Sequence, residues 1–212
     1  RVQRAMAGNT SAKAAVDIAV HDLAAQAARL PLHRFLGSRL EGNAMLATDV
    51  TISANDVATM RADARAALEA GYRALKLKVG KHPESDIDTI DALHAEVAGR
   101  ARLRLDANQG WSTAQAITVM QALESRGLVF ELLEQPVAAD DLEGMAAIRA
   151  AITTPLLADE AVFNARDARR AIDAGAADRI NLKLMKSGGL AGAARVADVA
   201  REAGVPCMVG CM

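Results

Sequence analysis

Apolar runs of strand length recur along the chain, and longer stretches between them carry apolar residues every three or four positions. The first pattern predicts strands buried on both faces, the second helices that cover them. Strands are expected at Met45–Val50, Arg73–Val79, Leu103–Asp106, Val129–Leu133, Leu156–Ala158, Arg179–Lys183 and Pro206–Val209. Helix-like stretches end in glycine and a strand follows at once, as in EAGYRALKLKV, VAGRARLRLD and SRGLVFELLE. Gly71, Gly99 and Gly127 stand 28 residues apart and Gly175 and Gly204 stand 29 apart, the length of one βα unit. The 48 residues from Gly127 to Gly175 hold two shorter units, with Thr153–Pro155 as the turn between them.

Helix starts are marked by Ser112 with Gln115, Asp140 with Glu143 and Asn164 with Asp167, each a capping side chain three residues before an acid or amide. About seven strand–helix units of this kind argue for a parallel βα barrel. An open doubly wound sheet fits less well, because no GxGxxG follows the first strand. The expected fold class is therefore α/β, a TIM-like (β/α)7β barrel. Residues 11–29 predict an amphipathic helix with no strand before it, and the chain stops at Met212 just after the seventh strand. A barrel needs eight staves, so the sequence reads as a piece of a longer protein with the eighth strand absent.

Composition narrows the partners. A net charge of −1 and a pI near 6.5 offer no basic stripe for nucleic acid, and no apolar run reaches the roughly twenty residues of a membrane span. A small-molecule substrate fits better. Two cysteines, Cys207 and Cys211, are too few for a disulfide framework, which favours the reducing cytoplasm. Aromatic residues are 2% of the chain, and the four histidines share no ligand spacing.

Charged residues stand at the ends of the apolar runs in a fixed order. Lys76 and Lys78 lie in ALKLKVG, Asp106 in LRLDANQGW, Glu134 in ELLEQPV, Asp159 in LLADEAV and Lys183 in INLKLMKSGG. The acids are 28 and 25 residues apart, so successive staves would each donate one carboxylate to the same rim. A lone acid at such a place usually caps the next helix, but capping does not call for lysines on the strands before and after. Three carboxylates with room for substrate and water suit Mg²⁺, with Mn²⁺ as a substitute, whereas zinc prefers His or Cys. Asn108 and Glu160 stand where they would orient the ligands or pair with lysines. Period-two geometry turns Lys76 and Lys78 to one side, where their repulsion should favour the neutral amine on one of them. Lys183 is expected across the barrel and Lys186 in a loop. A metal between opposed lysines suits removal of a proton α to a carboxylate, and return from the other face would invert the centre.

These residues resemble the enolase superfamily, muconate lactonizing enzyme subgroup, and within it the dipeptide epimerases of the L-Ala-D/L-Glu type. The matching motifs are KLK at 76–78, DAN at 106–108, EQP at 134–136, DE at 159–160, NLKLMKSGG at 181–189 and GCM at 210–212. The resemblance implies Mg²⁺ held by Asp106, Glu134 and Asp159, with Lys78 and Lys183 as acid/base catalysts. It implies that Lys76 holds the substrate carboxylate and that Thr51 touches substrate, although a threonine there also fits a helix cap. It implies an isomerase acting on a dipeptide. Cycloisomerases, o-succinylbenzoate synthase and N-succinylamino acid racemases share the same lysines and acids. A noncatalytic protein that binds a metal-chelated carboxylate is the reading from a different class. Residues 1–40 would be the helical tail of the capping domain and 41–212 the barrel. Homo-oligomers are common for such barrels, but no sequence feature identifies an interface.

Overall fold

In the computed structural model, which describes residues 7–39 and 45–211, seven strands form one parallel sheet whose spatial order is the chain order. Helix α1 (Thr10–Ala27) and the short α2 (Leu32–Phe35) come first. Strand and helix then alternate: β1 (Val50–Ile52), α3 (Val57–Glu69), β2 (Ala74–Lys78), α4 (Pro83–Val97), β3 (Arg102–Asp106), α5 (Thr113–Ser125), β4 (Leu132–Glu134) and α6 (Leu142–Ala151). The series continues with β5 (Leu156–Ala158), α7 (Ala165–Asp173), β6 (Arg179–Leu182), α8 (Leu184–Ser187), α9 (Leu190–Glu202) and β7 (Cys207–Val209). Each strand pairs only with its sequence neighbours, as in a βα barrel. The expected division at residues 40 and 41 lies outside the described residues, as does Met212.

Alternation along β2 creates the division between core and site. Leu75 and Leu77 are fully buried, and the register runs from Leu77 to Leu105 to Leu133 across three strands. These leucines join a core with Ile90 and Leu93 of α4, Met120 and Leu123 of α5, and Met145 and Ile148 of α6. Burying each such side chain contributes about 1.5–3 kcal/mol. Lys76, between the leucines, and Lys78, just after them, turn to the opposite side, as period two requires.

Several boundaries depart from the sequence reading. The first strand is Val50–Ile52 instead of Met45–Val50, because only Val50, Thr51 and Ile52 find partners on β2. Met45 and Leu46 are apolar yet 95% and 79% exposed. The fourth strand starts at Leu132, where pairing with Arg104 begins, and it includes Glu134. Asp141, not Asp140, caps α6: its carboxylate accepts from Gly144 N at 2.8 Å, since the helix begins one residue later than expected. The Ser112–Gln115 box and the Asn164 cap stand as expected. The Thr153–Pro155 turn lacks glycine but is held by Glu124, whose carboxylate accepts from Thr153 N, Thr154 N and Thr154 Oγ1.

Helix α1 is less amphipathic than expected. It buries Ala14, Asp17 and Ala25, while Val16, Val20 and Leu23 face outward. Asp17 accepts from Ala191 N at 3.2 Å, placing a carboxylate at the N-terminus of α9, where the helix dipole favours negative charge.

Candidate active site

The ladder itself lines up the charged groups. Lys78 lies opposite Asp106, and Asp106 lies opposite Glu134, so β2, β3 and β4 present one row at their C-terminal ends. Asp106 and Glu134 are fully buried and Asp159 is 1% exposed. Lys78 Nζ lies 2.7 Å from Asp106 Oδ2 and also donates to Asn108 Oδ1. Lys76 Nζ bridges Asp106 Oδ2 at 3.0 Å and Glu134 Oε2 at 3.1 Å. Lys183, the residue after β6, lies 2.6 Å from Asp159 Oδ2. Lys76, Lys78, Lys183 and Asp159 line one cleft of about 1180 Å³, together with Thr51, Asn108 and Glu160. Thr51 is in register with Lys76 and does not cap α3, whose cap is Asp56.

Amides tie the row together. Asn108, in a left-handed conformation with φ 42°, donates from Nδ2 to Glu160 Oε1 at 3.0 Å while its oxygen faces Lys78. Asn181 of β6 donates to Glu134 Oε1 at 2.8 Å. Lys186 contradicts its expected place in a loop. One turn of α8 carries it back under the site, 5% exposed, with Nζ 2.6 Å from Asp159 Oδ1. It also donates to the carbonyls of Asp159 and Asn181. The i+3 spacing from Lys183 was the only sequence sign of this approach.

Burial pushes the Glu134 carboxyl up to about 7; Asp106 and Asp159 add to the rise, and Lys76 and Asn181 oppose it. Burial acts to raise Asp159 too, but Lys186 and Lys183 outweigh it and hold that carboxyl below the ordinary value. Lys76 shows the converse: burial disfavours its charge, yet Glu134 and Asp106 together drive its pKa upward. The neutral amine expected from lysine repulsion is therefore not at Lys76. Its shift and that of Glu134 are compatible because Lys76 faces two carboxylates, whereas Glu134 has one close ammonium group and two neighbouring acids. Burial lowers Lys186 despite Asp159 beside it.

No three of His, Cys, Asp and Glu among the described residues form a ready-made ligand cage, and the Lys76 ammonium group bridges two of the acids. The donor chemistry nevertheless fits a hard dication: three buried carboxylates with oxygen donors only. Burial and the neighbouring Asp106 together raise the Glu134 carboxyl, the mark of acids crowded in a site shielded from water. Asp159 Oδ1, Glu160 Oε2 and Asn181 Oδ1 are buried without a hydrogen-bond partner among the described residues, and the Lys186 ammonium group lies 2.6 Å from the first as an ion pair.

The family model described as "Enolase C-terminal domain-like" matches residues 59–212, and that described as "Mandelate racemase / muconate lactonizing enzyme, N-terminal domain" matches residues 1–37. The chain belongs to the mandelate racemase/muconate lactonizing enzyme family of the enolase superfamily. Among its relatives, the L-Ala-D/L-Glu epimerase of Clostridium acetobutylicum is 42% identical over 212 residues, covering 100% of this chain and 58% of that protein. A substrate-liganded structure of the L-Ala-D/L-Glu epimerase from Bacillus subtilis superposes with a TM-score of 0.95 at 44% identity, covering 100% of this chain and 58% of that one. The dipeptide epimerase of Enterococcus faecalis, complexed with Mg and L-Leu-L-Tyr, gives 0.92 at 38% identity, covering 99% and 58%. This family member thus spans less than two thirds of the length of the curated relatives it matches. No helix among its described residues is long and apolar enough to cross a membrane.

Proposed function

We propose that this chain carries the proton-transfer site of an Mg²⁺-dependent epimerase that inverts the carbon α to the carboxylate of a dipeptide of the L-Ala-D/L-Glu type. The observation that carries the reading is that Lys78 at the end of β2 and Lys183 after β6 line one cleft, each paired to a different buried acid. One lysine takes the α-proton, and the other delivers a proton to the opposite face. Lys76 holds the substrate carboxylate, and Thr51, beside it in register, contacts the substrate.

Asp106, Glu134 and Asp159 would hold Mg²⁺, with Mn²⁺ as a substitute, and Asn108 and Glu160 orient that shell. Bound there, Mg²⁺ supplies positive charge beside the substrate carboxylate as the α-carbon loses its proton. Lys78 and Lys183 are each held by an acid that would be a metal ligand, and both line the cleft in which the substrate would lie. In this reading residues 1–40 are the tail of a capping domain and 41–212 the barrel, in keeping with the two family models. Two free cysteines support a reducing, cytoplasmic setting.

The test uses the full-length protein with Mg²⁺ in D₂O, following α-proton exchange by NMR across a panel of L,L dipeptides. Exchange with inversion, abolished by EDTA and by Lys78→Ala or Lys183→Ala, is expected. No exchange with any dipeptide would sink the reading, and N-succinylamino acids and muconate-like acids would then be tried at the same lysines. A noncatalytic binder would instead keep its ligand affinity and show no turnover to lose.

A further inference from the structure

The three acids are not held in the same way. Asp106 and Glu134 are ladder residues, paired to each other across β3 and β4. Pairing of β4 with β5 stops at Glu134 and Leu157, and β5 ends at Ala158, so Asp159 lies beyond the reach of the sheet. Its backbone N–H is taken by a side chain instead. Gln135 Oε1 accepts from Asp159 N at 3.0 Å and from Ala161 N at 3.1 Å, while its Nε2 donates to Val137 O at 2.9 Å. The amide is fully buried.

The Gln135 backbone is as constrained as its side chain. Its φ is 35°, in the left-handed region that favours glycine. Its N–H donates to Leu157 O at 3.0 Å, and its carbonyl accepts from Gln109 N at 2.8 Å. One residue therefore touches the chain after β3, the chain after β4 and both sides of the end of β5. The surroundings over-determine an otherwise unfavourable conformation, as they must for it to persist. Only an amide of this length satisfies the set: an ionised carboxylate accepts both N–H groups but cannot donate to Val137 O, and methionine fills the volume but leaves the Asp159 and Ala161 N–H groups without their acceptor.

We propose that Gln135 is a positioning residue whose buried amide continues the β4–β5 ladder by one step and so fixes Asp159 beside Glu134. The proposal rests on the metal-site reading for its functional consequence, but the staple itself is open to test without metal.

Hydrogen exchange of the metal-free, full-length protein comes first. The Asp159 and Ala161 amides should be protected like strand amides, although they lie outside β5. In Gln135→Met both should exchange at least about tenfold faster while Leu133 keeps its protection, and Gln135→Glu, which retains the acceptor, should restore them. Fast exchange of these two amides in the unsubstituted protein overturns the proposal, even if the variants fail to fold. Equal loss in Gln135→Glu and Gln135→Met overturns it as well.

Mn²⁺ titration followed by electron paramagnetic resonance then reads the consequence: Gln135→Met should weaken binding by about 10-fold or more. Affinity within twofold of the unsubstituted protein removes the positioning role. If the unsubstituted protein binds no Mn²⁺, the metal reading fails and the exchange pattern alone decides the staple.

Discussion

Lys186 holds Asp159 at two points: its ammonium group lies 2.6 Å from the carboxylate Oδ1 and also donates to the Asp159 backbone carbonyl. Both residues are buried, and Asp159 is compensated by Lys183 at 2.6 Å as well as by Lys186. Lys186→Met should destabilise the metal-free protein by about 1.5–3 kcal/mol, because it removes one of the two cations at a buried carboxylate and leaves the Asp159 and Asn181 carbonyls without their charged donor. Urea unfolding measures this, and a change below about 1 kcal/mol would mean that Lys183 alone suffices for Asp159.

The Glu134 carboxyl, raised to about 7 by burial and by Asp106, gives metal binding a proton signature. Its folded value lies above the ordinary value of about 4.3, so its contribution favours folding fully below that value and is lost as pH rises through about 7. A dication must displace that proton. Mg²⁺ binding near roughly pH 6 should release about one proton and near pH 8 few, and Glu134→Gln should abolish the difference. Calorimetry in buffers of unequal ionisation heat counts the protons; equal release at both values would refute the assignment.

Glu124 acts in the opposite sense, far from the site. Burial raises its carboxyl, but hydrogen bonds from Thr154 and Thr153 outweigh it and lower the net value. A depressed folded value contributes stability above the unfolded value of about 4.3 and loses it as pH falls through the folded one. Glu124→Gln should therefore lower the melting temperature at neutral pH, with the two proteins converging in acid. Parallel melting curves across the whole range would count against the Thr153–Thr154 contacts.

The loops after β2 and β3 touch backbone to backbone. A Cβ at Gly110 would meet Gly80 O at 2.2 Å and Ala107 O at 2.8 Å, and Asp86 accepts from both Gly80 N and Trp111 Nε1 at 3.0 Å. Gly110→Ala should cost about 1–3 kcal/mol through overpacking and disturb the loop that carries Asn108. The urea midpoint reads the first effect. An unchanged midpoint would mean that the two loops separate freely.

How much of this was legible in the sequence depended on what the periodic pattern encodes. Asp106 and Glu134 could be read because they end buried strands, where an acid without a purpose is expensive. Lys76 and Lys78 followed from strict alternation with Leu75 and Leu77. Lys186 was hidden because a single turn of α8 sets its direction, and one turn leaves no periodic signal. Gln135 was hidden for a related reason: its importance lies in backbone groups of Asp159, Ala161 and Val137, which carry no residue-type signature. The first strand was misplaced because Met45 and Leu46 are apolar without being buried, and only pairing with β2 decides where the strand begins.

Because strand order follows chain order, a chain emerging from synthesis always finds the preceding strand as a ready edge, and the sheet can grow by local steps. Asp17 is different: its acceptor role awaits Ala191, 174 residues later. Closing so long a loop carries the larger entropy, so the docking of α1 should come last in folding. The same contact should open first in native-state exchange, with the amides at the start of α9 losing protection before those of β2 and β3.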